Sequence, residues 1–320
     1  MARDLKQLTG VLPALVTPLT AEGEVDEPAV ERLIEHVLAG GVNGLLPLGS
    51  TGETASLDER SRRTMLTATI RAARGRVPVI CGVAQSHLAA SQAEVDAAAA
   101  AGADAALVAP PFYYLIDQQT VLAFYRSLAA ASSIPIFLYN IPQYTKVVAE
   151  PGTVATLARE GTIQGIKDSS RDFEYFEFVC GATRDLPDFR IFTGSDTMLL
   201  ASLAMGGAGT ICGAANVAPG WVVRIYDDWR KGDLDAAREH QDALVDLLIR
   251  LRAGVFPAAI KAALELQGVC SSYPAKPIAP FDARAKEALG EQLRSWGLLA
   301  TTPAAGSHAR ASMEETSRSR

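Results

Sequence analysis

The chain has 320 residues, 48% of them apolar and 21% charged, with a mean hydropathy of +0.12. That profile fits a soluble globular protein with enough chain for a large core, built as one large α/β domain or two smaller ones. A formal net charge of −6 and a sequence pI near 5.4 argue against a nucleic-acid or anionic-membrane surface, which leaves small-molecule chemistry.

The opening MARDLKQLTG is too polar for a secretory signal, and no uninterrupted apolar run approaches membrane-spanning length. Short apolar runs recur about every 30 residues: VLPALV from Val11, GLLPLG from Gly44, VPVICGV from Val77 and DAALVAP from Asp104. IPIFLY from Ile134, IQGIK from Ile163, RIFTG from Arg190 and AGTICG from Ala208 complete the series. Amphipathic stretches lie between them. In EPAVERLIEHVLAG, for example, Val30, Leu33, Ile34, Val37 and Leu38 share one helical face, and Gly40 and Gly41 supply the stop. The alanine-rich stretch from Ala89 to Ala106 reads as a packed helix followed by a turn.

Eight buried strands alternating with helices predict an α/β fold of the (β/α)8 TIM-barrel kind, over residues 1–228. An open doubly wound sheet is the alternative, but its glycine-rich turn directly after the first strand is missing. After Trp221 the strand signal stops, and helical patterns near Asp233–Arg252, Pro257–Gln267 and Asp282–Trp296 predict a C-terminal helical appendage, residues 229–300. The tail, residues 301–320, is small and polar and is expected to be disordered. Cys81, Cys180, Cys212 and Cys270 form no CxxC pair and read as free thiols in a reducing cytoplasm. His36, His87, His240 and His308 show no ligand spacing, so no metal site is expected.

In a barrel the active site gathers at the C-terminal strand ends. Those ends carry Gly49-Ser50-Thr51-Gly52-Glu53, Pro110-Pro111-Phe112-Tyr113-Tyr114, Tyr139-Asn140 and Lys167. Lys167 ends the run IQGIK, where Asp168, Ser169 and Ser170 can cap a following helix. Burial at such a rim disfavours the charged amine and exposes its lone pair, as imine chemistry requires. A carboxylate alongside would oppose this, so Asp168 is expected to point away. Gly49 to Glu53 lacks the Lys-Ser/Thr ending of a nucleotide-binding loop. Its backbone N–H groups suit a carboxylate, although Ser50 or Thr51 also suits a helix cap. One amine with several phenols and hydroxyls, and no carboxylate pair, is the inventory of an imine-forming enzyme rather than a hydrolase.

These motifs together resemble the class I pyruvate-dependent aldolases, the group that includes dihydrodipicolinate synthase and N-acetylneuraminate lyase. The resemblance rests on GSTGE from Gly49, Tyr139-Asn140-x-Pro142 and GIKDSS from Gly165. Pro13-x-Leu15-Val16-Thr17-Pro18-Leu19 and Gly209-x-Ile211 followed by Ala215-Asn216-x-x-Pro219 extend it to about residues 10–298. It implies that Lys167 forms a Schiff base with pyruvate or another 2-oxo acid, with no metal or nucleotide cofactor. It implies a proton shuttle at Tyr139, extended by Ser50 and by Tyr113 reaching a partner subunit's site. Thr51 and Ser50 would hold the pyruvyl carboxylate with their backbone N–H groups, beside Gly49 and Ile211. A cytoplasmic homotetramer, a dimer of dimers, is also implied, with Phe112 at an interface position that is often tyrosine.

The synthase branch carries an arginine two residues after the proline of Tyr-Asn-x-Pro, and here that position is Tyr144. A phenol makes no charged, bidentate grip on a carboxylate, and a strand-like path would send Lys146 to another wall. The expected activity is therefore aldolase, or dehydratase, action on a hydroxylated 2-oxo acid such as a 2-keto-3-deoxy sugar acid. Tyr144, Ser169, Ser170 and Asp196 would meet its hydroxyls, although Asp196 also fits a helix N-cap. Synthase activity on pyruvate and aspartate semialdehyde is the alternative, and a non-catalytic ligand-binding or regulatory barrel is a second.

Overall fold

A computed structural model describes residues 5–299; the expected tail at 301–320 lies outside the described residues. Seven short parallel strands form one sheet: β1 (Gly10–Pro13), β2 (Ile80–Val83), β3 (Ala105–Val108), β4 (Ile136–Asn140), β5 (Gly165–Asp168), β6 (Arg190–Thr193) and β7 (Gly209–Cys212). Their order is β1-β7-β6-β5-β4-β3-β2, with helices in the connections, as expected of buried parallel strands in an α/β fold.

The run at Gly44, expected as a full strand, makes isolated bridges only. Leu46 bridges Ala14 beyond β1, and Leu45 bridges Val79 before β2. Its backbone is nevertheless bonded on both sides, with Leu46 N–H on Pro13 O at 3.0 Å and Leu45 N–H on Pro78 O at 2.9 Å. Pro47 supplies no donor and Leu48 turns into the left-handed region at φ +62°, which ends the ladder after two residues. The segment thus lies between the two edge strands of the sheet.

Alternation along the strands sorts two hydrophobic layers. Leu12, Leu107, Phe137, Phe192 and Ile211 pack together on the inner face. Val11, Val108, Leu138, Ile166 and Ile191 face the surrounding helices. The helices fall where their apolar spacing and caps put them. Asp26 caps Glu27–Ala39 through Ala29 N–H, and Leu88–Ala101 ends at Gly102 with φ +95°. Late helices at Leu234–Leu251, Ala258–Leu266 and Ala283–Ser295 match the three expected C-terminal patterns. The expected boundary at residue 228 falls inside the helix Pro219–Lys231, which runs on to a left-handed Gly232 whose N–H bonds Asp228 and Trp229 carbonyls.

A buried ion pair ties the late helices to the sheet. Glu53, held at φ +59°, meets Lys261 with both side chains shut away from solvent. Glu53 Oε1 also accepts Ala275 N–H at 2.7 Å, and Lys261 Nζ donates to Tyr273 O at 2.8 Å. Burial pushes the Lys261 ammonium below its ordinary range, and the Glu53 carboxylate opposes that. Removing one partner leaves a buried charge alone. Lys261→Met is therefore expected to lower the unfolding free energy by about 3–5 kcal/mol in denaturant titration, and Glu53→Gln added to it to restore part of the loss.

Candidate active site

The register of β4 on β5 sets Tyr139 directly opposite Lys167. Both point to the inner face, because their neighbours Leu138 and Ile166 belong to the outer layer. Lys167 is only 3% exposed and Tyr139 only 5%. Lys167 Nζ donates to Tyr139 Oη at 3.3 Å and lies 4.4 Å from the centre of its ring. Tyr139 Oη and Ser50 Oγ are 3.0 Å apart. Amine, phenol and hydroxyl thus form one connected line.

The next residues on both strands turn outward. Asn140 Nδ2 donates to Asp168 Oδ1 at 2.8 Å, and Ser170 donates to the same carboxylate from its N–H at 3.1 Å and its Oγ at 2.9 Å. Burial raises the Asp168 pKa, and these hydrogen bonds pull it back. The carboxylate faces away from the amine, as anticipated. The capping role expected of Asp168, Ser169 and Ser170 is corrected. Asp172 caps the following helix through Tyr175 N–H at 3.1 Å, because the chain first turns left-handed at Arg171, φ +63°. Ser170 is thereby engaged by Asp168 and lies off the cavity wall.

The cavity over these groups has a volume of about 280 Å³. Ser50, Thr51, Tyr139, Tyr144, Lys167 and Ser169 line it, together with Asp196 and Ile211. Gly49 lines an adjoining apolar cavity with Phe112. Tyr113 lines neither; it is 83% exposed at φ +85°, packed edge-on against Tyr114. The Ser50 and Thr51 N–H groups have no acceptor among the described residues, while the turn is closed by Gly52 N–H on Gly49 O and Glu53 N–H on Ser50 O. Thr17 Oγ1 fastens it further, donating to Gly52 O at 2.7 Å. Two residues with free N–H donors therefore line the same cavity as the amine.

Asp196 is not a helix cap. Its Oδ1 accepts Ala214 N–H at 3.0 Å and fixes the loop after β7. Asn216 braces the same corner, accepting Val16 N–H and donating to Ala14 O and Gly213 O. Nor does Lys146 follow a strand-like path. A helical turn, Pro142–Thr145, intervenes, and Lys146 Nζ donates back to Gln143 O at 3.1 Å. That turn leaves Tyr144 on the cavity wall, 58% exposed. Burial and Tyr139 push its phenol above the ordinary range against the pull of Arg171.

Gly194, Arg171 and Arg252 are among the lining residues that the sequence reading did not single out. Gly194 directly follows β6, and strand-end position alone was a usable signal for it. Arg171 stands four residues after Lys167, whereas Arg252 reaches the mouth only because the helix Leu234–Leu251 folds back over it.

The profile of the dihydrodipicolinate synthetase family matches residues 7–295. The chain belongs to this family. A 4-hydroxy-tetrahydrodipicolinate synthase of Phenylobacterium zucineum is 38% identical over 293 residues, covering 91% of this chain and 98% of the relative. The structure of YagE, a prophage protein of the dihydrodipicolinic acid synthase family from E. coli K12 in complex with pyruvate, superposes with a TM-score of 0.87 at 30% identity. It covers 91% of this chain and 99% of that one. The dihydrodipicolinate synthase of Thermotoga maritima gives a TM-score of 0.88 at 30% identity, over 92% and 100% of the two chains. Family members are pyruvate-dependent lyases and synthases that act through a lysine Schiff base, and this chain is an enzyme of that class. Among the described residues no helix is long and apolar enough to cross a membrane.

Gly194 offers a direct check on the geometry. A Cβ there would strike Ser169 Oγ and come within 2.8 Å of Lys167 Cε. The hydroxyl can rotate, but the lysine stem must move, and the hydrogen-bonded line to Tyr139 and Ser50 tolerates little displacement. Gly194→Ala is expected to lower turnover by about 10²-fold while the melting temperature stays near that of the parent, and Ser169→Ala added to it to leave the defect in place. Full activity in the single variant would show that the lysine does not need its present position.

Proposed function

We propose that Lys167 is the imine-forming lysine of this enzyme, and that its substrate is a hydroxylated 2-oxo acid such as a 2-keto-3-deoxy sugar acid, cleaved to pyruvate and an aldehyde. The observation that carries the reading is the line Lys167 Nζ, Tyr139 Oη, Ser50 Oγ, at 3.3 and 3.0 Å, in the wall of the cavity. The amine attacks the keto carbon to give a carbinolamine. Tyr139 gives a proton to the departing hydroxyl, which leaves as water, and the imine forms. In cleavage the phenolate takes the proton of the substrate's C4 hydroxyl, the C3–C4 bond breaks, and its electrons enter the imine as an enamine. Protonation at C3 and hydrolysis then release pyruvate. The lysine itself is the electron sink, so the chemistry needs no metal or nucleotide.

The free N–H groups of Ser50 and Thr51, with Gly49 supplying the turn, hold the substrate's 1-carboxylate. Ile211 packs against the apolar side of the pyruvyl group, and Ser169, Tyr144 and Asp196 meet hydroxyls further along. Tyr113 acts in trans, its phenol extending the proton line of a partner in a cytoplasmic homotetramer built as a dimer of dimers. The exposure of Tyr113, Tyr114 and Leu115 supports that role. The bonded segment at Leu45–Leu46 supports closure of the sheet into a (β/α)8 barrel, residues 1–228, with residues 229–300 as a helical appendage. The name of the Phenylobacterium relative favours a second reading, condensation of pyruvate with aspartate semialdehyde. Tyr144 in place of an arginine weighs against it.

Borohydride reduction in the presence of pyruvate is expected to add one reduced pyruvyl group to the parent, read by intact mass, and none to Lys167→Ala. Tyr139→Phe is expected to keep the adduct but lose about 10²-fold in turnover. A pyruvate-release panel across 2-keto-3-deoxy sugar acids, run beside aspartate semialdehyde condensation, separates the two readings by which reaction turns over.

A further inference from the structure

A separate cavity opens at the other end of the sheet from Lys167. Its volume is about 580 Å³, inside the range of roughly 300–1,000 Å³ that small-molecule sites occupy. Thr9, Arg190 and Ala208 in its wall stand at or just before the first residues of β1, β6 and β7, whereas Lys167 lies near the last residue of β5. The strands run parallel, so the two cavities lie at opposite ends of them, and they share no lining residue.

Arg184, Arg190 and Arg230 all line this cavity, and no carboxylate does. Among the described residues none of the three guanidiniums makes an ion pair. Arg190 donates to the carbonyls of Pro187 and Asp188, and Arg230 Nη1 donates to Tyr226 Oη at 3.5 Å. Nearby carboxylates are committed elsewhere or stand off. Asp185 pairs with Arg159 at 3.0 Å and Asp188 with Lys6 at 3.4 Å, while Asp227 acts on Arg230 without reaching an ion pair. In a chain of net charge −6, three unpaired arginines around one hollow run against the overall balance.

Aromatic and apolar side chains make up much of the remaining wall. Trp229 is half-buried and Tyr226 buried, their ring centres 6.2 Å apart, and the Arg230 guanidinium lies 6.0 Å over the Tyr226 ring. Forked guanidinium donors match phosphate oxygens, and aromatic faces accept planar rings. We propose that this cavity binds a nucleoside phosphate, with its phosphates between the guanidiniums and its base against Trp229. Three cations together suit a polyphosphate better than a single carboxylate. The inference is independent of the imine-forming reading of Lys167.

Titration of the full-length protein with ADP, adenosine and pyrophosphate tests this. ADP is expected to bind saturably, one per chain, with affinity that falls as salt is added. Adenosine and pyrophosphate are each expected to bind about ten-fold or more weakly than ADP, since each keeps one part of the contacts. ADP is expected to quench tryptophan emission, and Trp229→Phe to remove the quench. Arg184→Ala/Arg230→Ala is expected to lower ADP affinity by about ten-fold or more, with the melting temperature and the borohydride adduct with pyruvate unchanged. Protein already carrying that adduct is expected to bind ADP as the parent does. Loss of ADP binding in the adduct would place the nucleotide in the Lys167 cavity and overturn the proposal. So would no ADP binding below about 1 mM, equal affinity for pyrophosphate, a quench that survives Trp229→Phe, or unchanged affinity in the double variant.

Discussion

The registry between two neighbouring strands governs this molecule. With Phe137 opposite Gly165 and Tyr139 opposite Lys167, every second residue of β4 and β5 faces inward. A slip of β4 by one residue would turn Asn140 to the inner face and carry Tyr139 to the helices, and a slip of β5 would do the same to Asp168 and Lys167. Large inner side chains oppose that slip. Phe137 and Phe192 are fully buried on the inner face, each contributing about 1.5–3 kcal/mol, and a slipped β4 would lose Phe137 to the wrong layer. Outward packing of Leu138 and Ile166 adds to the same preference. The hydrogen bond from Asn140 to Asp168 locks the register from the other side, since it forms only when both residues face away from the cavity. Core packing and catalytic alignment are therefore one requirement.

The opposite wall is held differently. The turn from Gly49 to Glu53 is largely buried and is bounded by two left-handed residues, Leu48 and Glu53. Gly82 lets β2 pass against it, since a Cβ there would press on the Leu48 carbonyl. The Lys261–Glu53 pair and the Glu53 bond to Ala275 then clamp its far end to chain more than 200 residues later in sequence. Such a pair is poor at raising net stability, because desolvation offsets its attraction. What it does here is fix where one turn sits, so that Ser50 and Thr51 line the cavity and Ser50 Oγ meets Tyr139 Oη. The late helices thus belong to the working structure of the site.

How much of this was legible in the sequence follows from the range of each interaction. Strand alternation and strand ends are local properties, so Lys167, Tyr139, Ser50 and Thr51 could be placed on one mouth from IQGIK, IPIFLY and GSTGE alone. Capping was harder to read. Asp168, Ser169 and Ser170 all suit a cap, but the left-handed turn at Arg171 delays the helix, and only Asp172 has the right offset to Tyr175. The Gly44 run shows the same limit, because its apolar pattern is that of a strand while Pro47 and the turn at Leu48 cut the ladder short. Arg252 could not have been found locally, since nothing near it in sequence refers to the cavity. Gly194 could have been, since it follows a strand end, but its purpose is visible only in the space that the lysine stem needs.

Charge placement across the site follows from the same alternation. Carboxylates near the amine are either turned to the outer layer, as Asp168 is, or tied down by a backbone N–H, as Asp196 is. An anion free to approach a buried amine favours its charged form. Cationic groups at the rim have the opposite effect, since they disfavour a second positive charge nearby and draw anionic substrates inward. The guanidiniums of Arg171 and Arg252 line the cavity from exposed positions, where solvent screens their charge. With Asp168 turned to the outer layer and Asp196 tied to the backbone, the lining beside Lys167 and Tyr139 thus holds no free carboxylate among the described residues.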